Sequence, residues 1–174
     1  MFTACYALRY IKYSLPIKTL KIIYFAHIHT IVSYNVIFRD NSYAKKVFTF
    51  QKKIIRIITN TRPKDSCREI FKNMQIMTLY SQYVYSLLLF TVNNKHLFTA
   101  KNEIHKYNPR NNNNLQPALE NLIKYNKGPH VSGIKVFSHL PQYSKALVHN
   151  PKHFRSSLER FLLSSFFLLY GGIL

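Results

Sequence analysis

Between Ser42 and Met77 the chain reads SYAKKVFTFQKKIIRIITNTRPKDSCREIFKNMQIM, and its first half fits one regular conformation. At about 100° per residue, Val47, Phe50, Ile54, Ile57 and Ile58 line up as an apolar stripe, widened by Phe48 and Ile55. Lys45, Lys46, Lys52, Lys53 and Arg56 fall on the other side, which is the pattern of a helix over residues 43–60 buried along one face. No Glu stands four residues away to offset these cations, so their mutual repulsion asks for an external anion.

The second half of the run continues the pattern. Thr59 to Lys64 reads as a turn in which Pro63 ends the basic helix and holds Arg62 extended. Asp65 or Ser66 then caps a short helix, with Glu69 placed as in a capping box. Cys67, Ile70, Phe71, Met74 and Ile76 are its inward residues, and Arg68 and Lys72 its outward ones.

Helical periodicity also marks the flanks. Phe2 to Ser14 reads as a helix with Tyr6, Leu8, Tyr10 and Ile11 apolar and Arg9 and Lys12 basic. Pro16 opens a second, from Ile17 to about Tyr34, with Leu20, Ile23, Tyr24, His27, Ile28 and Ile31 spaced for burial. Leu79 to Val92 carries no charge, which predicts the central core helix. Residues 99–130 are rich in Asn and Lys, with four successive asparagines at 111–114. They read as a long loop, ordered where Leu115, Leu119 and Leu122 reach the core. A short helix over Gly133–Leu140 stops at Pro141. Asn150 and Pro151 then form an N-cap and first-turn pair for a last helix, with Phe154, Leu158, Phe161 and Leu162 on one face. The expected fold is mainly α: a single irregular helical domain of about six helices with a long Asn/Lys-rich loop.

Composition bears on partners. Lys and Arg number 25 against six acids, a net charge of +19, so nucleic acid is the first partner to consider and an anionic membrane surface the second. Cys5 and Cys67 form no CxxC and no larger framework, which predicts buried thiols in an intracellular protein. The opening apolar run is broken by Arg9 and Lys12, unlike a signal peptide. Thr19–Phe38 is interrupted by Lys21, His27, His29 and Asn35, and the tail FLLSSFFLLYGGIL falls short of the roughly 20 apolar residues a spanning helix needs.

The run FQKKIIRIIT, a turn, and then SCREIFKNMQIMTL resembles the region downstream of the polymerase domain in insect non-LTR retrotransposon reverse transcriptases of the jockey-like kind. There an LQKKAIRII-like helix precedes an SCRxLFKKLKILPL-like helix and turn. Tyr83–Phe90, His105–Arg110, Gly133–Pro141 and Phe154–Leu162 keep the order of later landmarks, so the likeness covers most of the chain. It departs at Arg39-Asp40, where the family carries Trp-Gly, and at Pro109 in the family's HxYNTR motif. The resemblance implies a thumb-like region over 1–98, a loop-rich connector over 99–130 and C-terminal helices over 131–174 packing back on the same domain.

That family's chemistry needs carboxylates holding paired Mg²⁺ ions. Asp40 and Asp65 are the sole aspartates and the glutamates (69, 103, 120, 159) are scattered, so polymerase, endonuclease and RNase H activity are not expected. His27 and His29 lack metal-ligand spacing on a helix, and no phosphate-cradling glycine loop or nucleophile motif occurs. No metal, cofactor or small-molecule substrate is expected. The resulting expectation is a non-catalytic piece of an RNA-directed DNA polymerase that binds RNA or RNA–DNA duplex without reading sequence. Lys45, Lys46, Lys52, Lys53 and Arg56 would track phosphates, and Arg62, Lys64, Arg68 and Lys72 would extend the patch. The His105–Arg110 motif adds Tyr107 and Arg110 as contacts to a single strand, or else as an anchor for the loop. Two other readings stay open: a relic reading frame without a selected role, and a basic membrane-surface protein.

Overall fold

The amphipathic run folds as a 19-residue helix, α4 (Asn41–Thr59), and the first half of the chain is packed around it. The computed structural model describes residues 2–35, 41–94, 99–100, 115–116 and 128–164. The chain is mainly helical, as its periodicity requires, and falls into two compact units, one over Met1–Tyr83 and one over Val84–Phe161.

In the first unit α1 (Phe2–Ile11) and α2 (Ile17–Ile23) lie against α4. Ile54, Ile55, Ile57, Ile58 and Phe48 of α4 are buried, while Val47 and Phe50 sit at the margin of the stripe. Phe48 gathers two further segments. Its ring stacks 6.3 Å from Phe71 of α5 (Arg68–Asn73) and meets Tyr80 edge-on at 5.2 Å, in the first turn of α6 (Leu79–Asn93).

The least expected residue of that face is Gln51, 1 % exposed among the isoleucines. Its Nε2 donates to the Tyr24 hydroxyl at 2.8 Å and to the Met77 carbonyl at 2.9 Å. Its Oε1 accepts from the Leu79 backbone N–H at 2.9 Å. One amide thus satisfies a buried phenol and the otherwise orphaned first donor of α6, which is why a polar group is tolerated there. Thr78 completes that helix start, its Oγ1 accepting from the Ser81 N–H at 3.1 Å.

The second helix departs from its 3.6-residue reading. After α2 the chain passes through a π-helical stretch, Tyr24–His29, before resuming as α3 (Thr30–Asn35). The wider turn keeps residues four apart in line, so Leu20, Tyr24, Ile28 and Val32 are the buried ridge. Ile31, expected inside, is 54 % exposed, and His27 faces outward as well. On α1, Cys5 and Leu8 are buried whereas Tyr6 and Tyr10 are exposed, and that helix ends at Ile11 rather than Ser14.

Turn chemistry also differs from expectation. Asn60, in the left-handed region at φ 54°, ends α4 three residues before Pro63. The Thr61 N–H reaches back to the Arg56 carbonyl at 3.1 Å, closing a Schellman cap. Gln75 at φ 52° repeats the device after α5, where the Ile76 N–H donates to the Phe71 carbonyl at 3.0 Å. At the start of α5 the Cys67 side chain makes no cap, but Ser66 Oγ accepts from the Arg68 N–H at 3.4 Å, as one of the two expected caps would. Asp65 instead accepts from the Arg62 N–H at 3.2 Å inside the preceding turn, so the predicted capping box does not form.

In the second unit Val84, Leu87 and Leu88 of α6 are buried, as are Ile134, Val136 and Phe137 of α7 (Pro129–Ser138) and Leu140 just after it. That helix starts at Pro129, earlier than the expected Gly133, because proline suits a first helical turn. Gly133 is buried in its middle, where a Cβ would collide with Thr91 Oγ1 of α6. A short helix, α8 (Gln142–Ala146), follows Pro141, and α9 (Pro151–Ser164) belongs to this unit as far as Phe161. The Asn150 side chain accepts from the His153 N–H at 3.5 Å, and Phe154 and Leu158 are buried, as their spacing predicts. Within the expected loop, Thr99–Ala100 and Leu115–Gln116 pair as short antiparallel strands. Arg39, Asp40, Leu119, Leu122 and the tail beyond Ser164 lie outside the described residues.

Candidate nucleic-acid interface

Burial of one face of α4 leaves its cations nowhere to go but outward. Lys45, Lys46 and Lys53 are exposed, and Lys52 and Arg56 are half-buried at the edges. On the helix these five occupy an arc of about 120°, in two rows: Lys45, Lys52 and Arg56, and beside them Lys46 and Lys53. Charge and burial are therefore segregated on the rod.

The rows are not uniform in their freedom. The Lys52 ammonium lies 4.6 Å from the centroid of the Phe48 ring, which holds its stem along the helix while the charge stays at the surface. Arg56 is more committed. Its Nη2 donates to the Asp65 carbonyl at 2.8 Å, and its Nε is buried without a hydrogen-bond partner. This side chain braces the turn after α4, so only part of the guanidinium remains for a phosphate.

Arg62 and Lys64 on that turn, and Arg68 and Lys72 one helical turn apart on α5, are all exposed. The acids of this unit among the described residues are Asp65 and Glu69, and Asp65 is occupied by the Arg62 backbone. Tyr107 and Arg110 lie outside the described residues.

Sequence periodicity missed the contribution of α1. Arg9 and Lys53 line an open cavity of about 370 Å³ between α1 and α4, together with Thr3, Cys5 and Tyr6. Burial pushes the Cys5 thiol up from its ordinary value, while Lys53 and then Arg9 pull it down. Tyr6 and Tyr10 stand beside the cavity, 62 % and 66 % exposed. Just past the end of α1 the Lys12 ammonium donates to Asn60 Oδ1 at 2.9 Å and lies 4.7 Å from the Tyr13 ring. The signal was present as tyrosines three residues before and one after Arg9, but aromatic residues in an amphipathic helix are read as core by default.

Among the described residues no three His, Cys, Asp or Glu side chains come together as a metal site, and Cys5 and Cys67 are buried free thiols. His29 packs against Tyr24 and Phe25 rather than facing His27. No described helix is long and apolar enough to cross a membrane.

Comparison with protein-family models, curated proteins and solved structures returned no match.

Proposed function

We propose that this chain is a nucleic-acid-binding piece of a non-LTR retrotransposon reverse transcriptase, comprising the thumb and the region downstream of it, with no catalysis of its own. The observation that carries the binding half is the segregation on α4: five cations on the solvent side, and isoleucines with Gln51 on the other. Such a face positions a phosphate backbone and leaves the bases unread. The lineage half rests on the ordered likeness of Phe50–Ile58 and Ser66–Leu79 to that family.

The two halves have separate tests. Fluorescence anisotropy with a labelled RNA–DNA hybrid, titrated from 50 to 200 mM salt, should show about a 10³-fold loss of affinity for six phosphate contacts. No affinity for the hybrid, or an affinity indifferent to salt, refutes the binding half. A polymerase palm encoded in frame immediately upstream would support the lineage, and unrelated upstream sequence would count against it.

One observation favours a second reading, a peripheral membrane protein. Ile17, Ile22 and Ile31 are exposed on the α2–α3 segment beside Lys18 and Lys21. Flotation with anionic vesicles separates the two: lipid binding without any hybrid binding would make this the better account.

A further inference from the structure

Outside the rows on α4, the surface of α1 holds an unusual arrangement. Tyr6 and Tyr10 lie with ring centroids 4.7 Å apart and tilted by 52°. Their hydroxyls are 2.9 Å apart, with Tyr6 donating to Tyr10. The two rings lie against one another, and both are largely exposed. Adjacent exposed tyrosines, apolar in the ring and polar at the hydroxyl, are the kind of side chain that interfaces favour.

The chemistry of a partner is defined by the residues adjoining them. Tyr6 forms one wall of the cavity whose other walls include Arg9 and Lys53, and none of the residues lining it is acidic. Its volume, about 370 Å³, lies at the lower end of the ~300–1,000 Å³ range of ligand pockets. Flat rings beside an apolar recess with two basic residues in its lining suit single-stranded nucleic acid, since unpaired bases offer π-faces and the backbone offers charge. A duplex keeps its bases stacked inside and would use the lysines while leaving the tyrosines idle.

We infer that the α1–α4 groove is a binding site for single-stranded nucleic acid, with bases stacking on Tyr6 and Tyr10 and phosphate held between Arg9 and Lys53. The inference rests on the nucleic-acid reading above and adds a strand preference and residues on α1. Tyr6 and Tyr10 belong to this site alone, whereas Lys53 serves both surfaces.

The test compares the wild-type protein with Y6A/Y10A and Y6F/Y10F, using a labelled oligothymidylate and the RNA–DNA hybrid as probes. Stacking predicts that Y6A/Y10A loses tenfold or more in affinity for the single strand while binding to the hybrid is unchanged. Y6F/Y10F should retain single-strand binding, because the ring and not the hydroxyl makes the contact. Arg9→Gln should flatten the dependence of single-strand affinity on salt, lowering the slope of log K against log salt by about 0.7. Equal single-strand affinity in the wild type and Y6A/Y10A, with matching circular dichroism melts, overturns the inference. So does loss of binding to anionic vesicles in Y6A/Y10A with single-strand affinity intact. Failure of the wild type to bind the hybrid while it binds the oligothymidylate would remove the duplex reading and leave this site standing.

Discussion

Replacing Gln51 by Leu tests the packing account at its most exposed point. The substitution keeps the volume and adds apolar surface to a face that is already isoleucine-rich. It also strips partners from the Tyr24 hydroxyl, the Met77 carbonyl and the Leu79 N–H. A buried polar group left unpaired costs about 1–3 kcal/mol. Tyr24 is fully buried and the Leu79 N–H lies in a buried environment, whereas Met77 is half-buried and its carbonyl has a route to water. After an offset of about 1–2 kcal/mol for the extra apolar burial, the net loss comes to about 3 kcal/mol. With a urea m-value of about 2 kcal/mol/M, the unfolding midpoint should fall by roughly 1.5 M. Y24F should recover part of that loss in the Q51L background, giving a coupling of about 1 kcal/mol in the double-mutant cycle. A midpoint moved by less than about 0.3 M, or strictly additive effects of the two substitutions, would show that the amide is not the junction described.

Further predictions concern stability elsewhere. Gln75 occupies a left-handed cap, so Gln75→Gly should stabilise the first unit by up to about 1 kcal/mol, read as a higher thermal midpoint. Gly133→Ala should destabilise by about 1–3 kcal/mol, because the added methyl meets Thr91 Oγ1; Thr91→Ala in the same chain should recover much of the loss. Burial pushes the Tyr24 hydroxyl up to about 12, against the Gln51 hydrogen bond that lowers it. A raised folded value favours the neutral phenol, so this contribution is whole below about pH 10 and is lost as the pH climbs towards 12, to the extent of roughly 2–3 kcal/mol. Urea unfolding at pH 9 and pH 11.5 should show a smaller alkaline loss in Y24F than in the wild type.

The parts of this fold that were legible in the sequence are those governed by local periodicity. On α4 five aliphatic and aromatic residues and five cations separate at the helical period, and no tertiary information is needed to see it. Asn150-Pro151 likewise declares the start of α9 through its own backbone chemistry. Gln51 was illegible because its partners lie 26 to 28 residues away and polarity alone assigns a residue to the surface. The ridge Leu20, Tyr24, Ile28, Val32 was misread as including His27 and Ile31, since a π-helical turn changes the period without changing composition. Pro63 looked like the stop signal for α4, yet Asn60 ends it, because asparagine tolerates the left-handed conformation three residues sooner. For the interface, the cations of α4 could be read directly, whereas the role of Arg56 as a brace depended on where the turn carbonyl of Asp65 would lie. Tyr6 and Tyr10 needed knowledge of which face of α1 meets α4.

The central claim is that the lysines on the solvent side of α4 hold phosphates, and the slope of log K against log salt measures it directly. With the RNA–DNA hybrid, wild-type protein and the K45Q/K52Q/K53Q variant should both bind, and the variant's slope should be shallower by about 2.7, or 0.9 for each contact removed. Identical slopes for the two proteins would mean that these lysines touch no phosphate, and the proposed grip would be contradicted.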